Sequence, residues 1–271
     1  MVVGDVEVVS LVDAVGALAA LESAFPAVAA DSWDPYRSLY PTTFAGQRWR
    51  LQVAVLVVRS GGKTVLVDTG VGPAGLWRFW APECEALLPS ALDASGVARE
   101  SVDVVFLTHL HIDHLGWNTD ADGETFFPRA RYVVHPDALA YALADPERAH
   151  IRRCVEPLAD RFEWPGDDVE VAPGVRPRAL PGHYPGHHGL TIYSRGARAE
   201  LIADIAPHPA LLDRPEWVFA FDDADGASVT RAELVGELVD SETYVVCGHY
   251  PGSGIGRIVS RAGRVVWEEC A

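Results

Sequence analysis

The sequence predicts a layered α/β sandwich in which two packed sheets are covered by outer helices. Strand-like apolar runs and helical patterns mix along the chain, with two strand-rich blocks separated by helices. The sequence shows no linker, low-complexity segment or close internal repeat. Its 271 residues are enough to bury a substantial core, so we expect residues 1–271 to form a single domain.

The first strand-rich block is predicted from apolar runs that end at turn residues. The segment "RLQVAVLVVRSGGKTVLVDTG" is typical of a hairpin whose strands meet at a Gly-Gly turn. Pro26 ends an Ala/Leu-rich stretch of helical composition. Residues 31–50 are irregular and rich in aromatic side chains. The elements predicted in this block are strands at 2–12, 50–59, 63–68 and 102–108 and helices at 13–24 and 82–95.

The second strand-rich block follows a helical region that Pro146 divides. A strand is predicted in "ARYVVHP", before that region. The helices predicted in this half are 136–144, 146–161 and 228–241, and the strands lie near 169–171, 175–180, 189–194, 199–203, 243–247, 257–261 and 264–268.

The composition argues against several classes of partner. The net charge is −16, so the surface repels nucleic-acid phosphates and anionic lipid headgroups, and we expect neither a nucleic-acid nor a membrane partner. The N-terminus has no signal-peptide pattern, and no apolar run approaches the ~18 residues of a membrane span. The four cysteines are widely spaced, which is typical of reduced thiols. These features predict a cytoplasmic protein.

Three histidines and an aspartate are concentrated in "HLHIDH", directly after the buried strand "VDVVFL". If the strand edge stays extended, His109 and His111 point to the same side, and Asp113 and His114 follow where the chain can turn. Imidazole and carboxylate are good ligands for zinc-like divalent ions. A solvated loop could also be rich in histidine, but four ligand types in six positions favour a metal site.

One loop cannot close two metal sites, so further ligands are expected downstream. His183 lies in the Gly/Pro-rich turn "LPGHYPGHHG", Asp204 ends the strand in "ELIADIA", and His249 ends the strand in "YVVCGHYPGSG". Each of the three therefore lies at the end of a predicted buried strand, where an α/β sheet usually gathers its site.

These motifs, together with "VLVDTG", resemble the metallo-β-lactamase superfamily in type and order, from about residue 66 to 257. The resemblance implies a four-layer αβ/βα sandwich with a metal pair at one edge of the two sheets. It also implies that Asp68 accepts a hydrogen bond from a ligand histidine or a loop amide, although an aspartate here could simply cap a turn. The ligand sets that it implies are His109, His111 and His183 for one metal, Asp113, His114 and His249 for the other, and Asp204 as the bridge.

The implied cofactor is a pair of divalent ions, zinc being favoured and iron, manganese or cobalt also suitable. Such a pair activates a shared water as hydroxide, which attacks an electrophilic carbonyl carbon. Asp204 would hold both ions, and Asp113 is placed to shuttle the proton in addition to binding metal or instead of it. The implied function is therefore that of a metal-dependent hydrolase.

Two C-terminal stretches, "CGHYPGSGIGRI" and "ADIAPHPALLDRPEW", resemble the branch that includes acyl-homoserine lactonases and methyl parathion hydrolase. Those lactonases typically carry a tyrosine three residues after the bridging aspartate, and this chain has Pro207 there. His208 either replaces that tyrosine or is a plain surface residue. Cys247 is predicted to be a buried structural thiol.

Aromatic residues near the motifs predict an apolar or aromatic substrate with one polar reactive group, unless they pack the core. His187 belongs to the same turn as His183 and is predicted to form a supporting hydrogen bond, whereas His135 is expected to be structural. The candidate substrate contacts are Trp77, Phe79, Trp80, Trp117, His208 and the aromatics between 33 and 49.

The favoured substrate is a small lactone or related carboxylic ester. An acyl thioester, carrier-bound or polyketide, is the alternative, and phosphotriester cleavage is a third possibility as a main or side activity. A di-iron redox protein would need a flavin domain for which the chain has no room, and a non-enzymatic scaffold would not retain every ligand. The oligomeric state is expected to be monomer or homodimer.

Overall fold

The computed structural model describes residues 1–76, 80–145 and 148–270. In these ranges the strands form two mixed sheets, with the first sheet in the N-terminal part of the chain and the second in the C-terminal part. The strands are β1 Val2–Val3, β2 Val6–Ala20, β3 Phe44–Ala45, β4 Arg48–Ser60, β5 Lys63–Val67, β6 Ala81–Cys84, β7 Val104–Phe106, β8 Arg131–Val133, β9 Phe162–Glu163, β10 Val175–Ala179, β11 His188–Ser194, β12 Ala197–Leu201, β13 Tyr244–Val246, β14 Ile255–Arg261 and β15 Arg264–Glu269.

The first sheet has the strand order β1-β2-β4-β5-β7-β8-β9, with β3 paired to β4 and β6 paired to β2. The second sheet has the order β10-β11-β12-β13-β14-β15. The α-helices are α1 Leu21–Ala24, α2 Asp34–Leu39, α3 Leu88–Ala94, α4 Pro136–Leu143, α5 Ala149–Cys154, α6 Ala210–Asp213 and α7 Ala224–Leu238. Short 3-10 helices cover Ala30–Trp33, Pro41–Thr43, Arg99–Ser101, Gly116–Asn118, Glu156–Arg161 and Ala203–Ile205.

Three apolar clusters hold these layers together. The central cluster mixes residues of both sheets, such as Val58 and Phe106 from the first and Leu190 and Val246 from the second. The other two clusters bury the helices against the outer faces, with α3, α4 and α5 on the first sheet and α6 and α7 on the second. The order helix, sheet, sheet, helix confirms the four-layer sandwich. None of the helices in the described ranges is long and apolar enough to cross a bilayer.

The predicted helix at 13–24 was wrong for residues 13–20, where the chain stays extended as β2, and only Leu21–Ala24 is helical, as α1. β2 pairs with β4 along this length and with β6 from Val15 to Ala17. The buried carboxylate of Asp13 accepts hydrogen bonds from the backbone N–H groups of Val71 and Leu88. These long-range contacts outweigh the helical preference of the alanines and leucines.

Other predicted elements also differ in their bounds. Residues 82–95 divide into β6 and the shorter helix α3, and residues 169–171 form bends rather than a strand. The irregular segment 31–50 contains α2, two 3-10 helices and the start of β4. The predicted helix 146–161 becomes α5 followed by a 3-10 helix, and Pro146 itself lies outside the described residues.

Two pairs of parallel strands bring the candidate site residues to the same edge of the sandwich. β5 is parallel to β7 in the first sheet, and β12 is parallel to β13 in the second. The carboxyl ends of these four strands lie at one edge of the sandwich and lead into the segments that contain Asp68, His109, Asp204 and His249.

Candidate metal centre

Three imidazole rings meet at the end of β7. His109 Nε2 lies 2.9 Å from His111 Nδ1, which in turn lies 3.0 Å from His183 Nε2. All three rings are buried or nearly so, and their candidate ligand atoms lie within 4.8 Å of one another. The structure thus brings together the first ligand set implied by the resemblance.

A second group of donors lies beside the first. His249 Nε2 is 3.3 Å from His114 Nε2, and the two nitrogens are 3.5 and 3.7 Å from Asp113 Oδ2. These three residues also form a group of ligand atoms within 4.8 Å of one another. The second implied ligand set is therefore assembled as well.

Asp204 lies between the two groups. Its Oδ2 is 3.7 Å from His183 Nε2 and 3.5 Å from His114 Nε2, while its Oδ1 is 3.2 Å from His249 Nε2. Oδ1 is buried and has no hydrogen-bond partner among the residues that the structure describes. One carboxylate thus faces both groups, which is the position that a bridging ligand needs.

These donors fit a pair of divalent cations. Ring nitrogens that face one another at about 3 Å cannot all carry protons, so unshared electron pairs converge on the same small volume. An orphaned buried carboxylate oxygen at the same place is costly unless a cation satisfies it. Nitrogen and oxygen donors in this number suit zinc and similar ions.

Most of these histidines are held from behind by their second ring nitrogen. His114 Nδ1 donates to Asp68 Oδ2 at 2.8 Å, and His249 Nδ1 donates to the carbonyl oxygen of Gln52 at 2.7 Å. Asp68 also accepts the backbone N–H of Thr108 at 2.8 Å, so it contacts both a histidine and a loop amide. Such partners fix the tautomer and leave Nε2 free for a metal.

His183 has a partner that the sequence analysis missed. Its Nδ1 lies 3.0 Å from Asp222 Oδ1, and the Asp222 carboxylate is also paired with the fully buried Arg231. Arg231 donates in addition to the carbonyl oxygens of Ile205 and Trp217. The aspartates of "FDDADGA" were the available signal, but only the fold shows which one reaches the histidine.

Burial and charge act in opposite directions across the centre. Burial, reinforced by neighbouring imidazoles, holds the pKa of His109 and His111 well below its usual range, which keeps both rings neutral. Burial alone would also lower the pKa of His114, but the Asp204, Asp113 and Asp68 carboxylates outweigh it and raise that pKa. The carboxylate side of the centre thus attracts positive charge.

The backbone is strained where it delivers two of these carboxylates. Asp68 has a φ of +62°, and Ala203, directly before Asp204, has a φ of +45°. Non-glycine residues rarely adopt this left-handed conformation, and such strain is often concentrated at functional sites. At Gly248, next to His249, a Cβ atom would lie 2.4 Å from the carbonyl oxygen of Ala54, so only glycine fits there.

A cavity of about 710 Å³ opens onto five of the candidate ligand residues, which are His111, Asp113, His183, Asp204 and His249. This volume is in the range of pockets that bind small molecules. Phe221 lies over His111, with their ring centroids 5.5 Å apart. The apolar and aromatic residues that line the cavity include Leu18, Trp49, Leu51, Ile112, Tyr184, Phe219 and Phe221, and Arg148 and His150 also line it.

Two predicted substrate contacts were wrong. The Trp117 indole is buried, donates to Asp13 Oδ1 at 3.0 Å and packs on Phe126, so it supports the core. His208 is fully buried, and its Nε2 lies 2.9 Å from the hydroxyl of Thr43. Aromatic rings enclose His208, so it is neither a surface residue nor a replacement for the tyrosine.

The remaining candidates have other positions. Trp77 and Phe79 lie outside the described residues, and Trp80 packs, partly buried, against the helix-covered core of the second sheet. His187 Nε2 accepts the backbone N–H of Asp204 at 3.2 Å, which is a supporting hydrogen bond of the expected kind. Cys247 is buried, as predicted, with its Sγ 3.3 Å from the carbonyl oxygen of Ala203.

The fold and the two ligand groups define a candidate dinuclear metal centre at the edge of an αβ/βα sandwich. A family model described as the metallo-beta-lactamase superfamily matches residues 48–249. The chain therefore belongs to the metallo-β-lactamase superfamily, and the resemblance seen in the motifs is confirmed.

Individual relatives and solved structures are also similar to this chain. An N-acyl homoserine lactonase from a Bacillus species is 25% identical over 227 residues, which cover 79% of this chain and 87% of the relative. The structure of AidC, described as a dizinc quorum-quenching lactonase, matches with a TM-score of 0.84 at 21% identity and covers 100% of this chain and 96% of that one. A probable metal-dependent hydrolase from Staphylococcus aureus matches with a TM-score of 0.86 at 20% identity, with both chains covered completely.

Proposed function

We propose that the protein is a metal-dependent hydrolase that opens a lactone or cleaves a related carboxylic ester. The observation that carries this proposal is the position of the two ligand groups at the end of a large apolar cavity. The lactonase relatives support the substrate class. The proposal includes the roles of the seven ligand residues and zinc as the favoured ion.

The two ligand groups would hold one divalent cation each, with Asp204 shared between them. Cations held there supply Lewis acidity, which lowers the pKa of water and polarises a carbonyl oxygen. Asp68, Asp222 and the carbonyl of Gln52 orient three of the histidines, so the donors are positioned before substrate arrives.

Asp113 is the residue that we assign to proton transfer. Its carboxylate lines the cavity and its side chain is 14% exposed, whereas the Asp204 side chain is 8% exposed. Oδ2 of Asp113 can take a proton from a water at the floor of the cavity and pass it to the leaving oxygen. In a lactone that oxygen remains attached to the product, which is a hydroxy acid.

The apolar lining of the cavity would bind the rest of the substrate. Trp49, Leu51, Phe219 and Phe221 offer no charge, so an acyl or aromatic group fits there better than a carboxylate. Pro207 and the buried His208 supply no hydroxyl like that of the lactonase tyrosine, so carbonyl positioning depends more on the metals here.

A matched substrate panel tests this proposal. The zinc-loaded protein and a chelator-stripped control would be assayed with an acyl-homoserine lactone, an aryl ester, an acyl thioester and a phosphotriester, by proton release. We expect the lactone or the aryl ester to be hydrolysed at least tenfold faster than the other two, and only with metal. Preference for the thioester or the phosphotriester would reject the proposed substrate, and hydrolysis by the stripped protein would reject the metal centre.

A further inference from the structure

A second cluster of metal-ligand side chains lies outside the cavity, where the two sheets and their connection meet. His135 follows β8, Asp167 belongs to the connection between β9 and β10, and His188 begins β11. One ligand atom of each residue lies within 4.8 Å of those of the other two. None of the three lines the cavity described above.

His188 has a buried nitrogen that nothing satisfies. Its Nδ1 lies 2.9 Å from the carbonyl oxygen of Gly186 and must donate to it, which leaves the unshared electron pair on Nε2. Nε2 is buried and has no hydrogen-bond partner in the described part of the chain, and the residue is only 4% exposed. A buried acceptor without a donor is costly.

A carboxylate close to this nitrogen increases the free-energy cost of leaving it unpaired. Asp167 Oδ1 lies 3.7 Å from His188 Nε2, so an electron pair faces a carboxylate. Burial lowers the pKa of His188, which works against a proton filling the gap at neutral pH. A metal cation between the nitrogen and the carboxylate would satisfy both.

Packing holds the two imidazoles in place. His135 stacks on His188 with ring centroids 4.7 Å apart and planes at 19°, and Trp164 packs against both rings. His135 Nδ1 accepts the backbone N–H of Asp137 in a long hydrogen bond of 3.2 Å. A metal could displace so long a bond at small cost.

We propose that His135, Asp167 and His188 form a separate binding site for one divalent transition-metal ion, such as zinc or copper. Two imidazoles and one carboxylate favour such ions over magnesium and calcium, which prefer oxygen ligands. The Asp167 side chain is 58% exposed, so water can complete the coordination. The ion would tie the connection between the sheets to the ends of β8 and β11, and its role is to stabilise this junction.

Zinc titration of the zinc-loaded protein tests the site. Asp167→Asn removes an exposed ligand and His135→Gln removes a partly buried one, while His188 itself is kept in both variants. Asp168→Asn is the matched control, because it removes the neighbouring exposed charge on the same segment but lies outside the cluster. Calorimetry and metal analysis would give the zinc content and affinity of each protein.

We expect the wild type and Asp168→Asn to bind one zinc ion more per chain than Asp167→Asn, and the affinity for that ion to fall at least tenfold in His135→Gln. Equal zinc binding by the wild type and Asp167→Asn would overturn the proposal. An equal loss in Asp168→Asn would also overturn it, since the acidic surface alone would then explain the binding. The test compares proteins by difference, so it does not depend on the hydrolase activity.

Discussion

The floor and the wall of the cavity are built in different ways. The floor consists of the candidate metal-ligand residues that line the cavity, and several of the candidate histidines are held by hydrogen bonds from behind. The wall consists of Trp49, Leu51, Phe219 and Phe221, whose side chains make packing contacts with one another, with the core and with the rings of the floor. We infer that the floor determines whether the protein acts at all, whereas the wall determines what it acts on.

The largest effect is expected at Asp204, the proposed bridging residue of the floor. Asp204→Asn removes the charge that both ligand groups share, so both metal affinity and activity should fall, the latter by about 10³-fold or more. Metal analysis and the rate of ester hydrolysis would measure this. A variant that kept two ions and normal activity would show that Asp204 does not bridge them.

Asp222, which lies behind the floor, is expected to have a smaller effect, on both the metal centre and the stability of the fold. Asp222→Asn weakens the hold on His183, which should reduce metal affinity or activity about 10- to 100-fold. It also leaves Arg231 buried beside a neutral partner, which should lower the free energy of unfolding by about 3 kcal/mol. Metal-competition titration and denaturant unfolding would separate the two effects.

The control for Asp222→Asn is Asp225→Asn, an exposed position in the first turn of α7. It should cost no more than a few tenths of a kcal/mol and leave metal affinity unchanged. If both variants behaved alike, the contact between Asp222 and His183 would have no role in the centre.

Substitutions in the wall should alter substrate preference and leave metal binding unchanged. Phe221 is 67% exposed yet lies over His111, so Phe221→Ala removes apolar contact area at the cavity mouth. We expect KM for long-chain acyl substrates to rise about fivefold, equivalent to about 1 kcal/mol, with kcat and metal content nearly unchanged. A series of acyl chain lengths would measure this.

Tyr193→Ala is the matched control for the wall, because Tyr193 is 60% exposed but lies on β11 away from the cavity. It should leave KM unchanged for every chain length. A change in kcat without a change in KM in Phe221→Ala would instead connect this ring to the floor.

The smallest effect concerns a residue behind the wall. Burial lowers the pKa of His208 from its usual 6.5 to about 3, so below pH 6.5 the unfolded chain takes up a proton that the folded chain refuses. The contribution of His208 therefore lowers the free energy of unfolding as the pH decreases from about 6.5 to 3. At pH 5.5 this loss is about 1.4 kcal/mol relative to neutral pH.

His208→Gln should lack this part of the pH dependence. Because the candidate metal-ligand histidines are the same in both proteins, the difference between their unfolding free energies at pH 7.5 and 5.5 isolates His208. Parallel pH profiles would show that His208 is not held neutral by its aromatic surroundings.

The contrast between floor and wall also explains what could be predicted from the sequence. "HLHIDH" places four candidate ligands on one short segment, and each further candidate follows a strand, so local pattern was enough to find the residues that the structure brings together at the floor. The wall and its supports depend on packing between distant segments. Spacing could not show that His208 and Trp117 point into the core, nor that Asp222 reaches His183 across 39 positions.

The same limit explains the error at residues 13–24. Their composition favours a helix, but the pairing with β4 and the buried contacts of Asp13 require an extended chain. Those partners lie between 28 and 75 positions away along the sequence, beyond the reach of any local pattern.

The central claim is that two ligand groups joined by Asp204 form one hydrolytic centre. The most direct test is the rate of lactone hydrolysis as zinc is added back, by equivalents, to the chelator-stripped protein. We expect no activity without zinc and a rise in rate that reaches its maximum at two equivalents, since the ligand-rich centre fills first. Full activity without zinc, or a plateau at one equivalent, would contradict it.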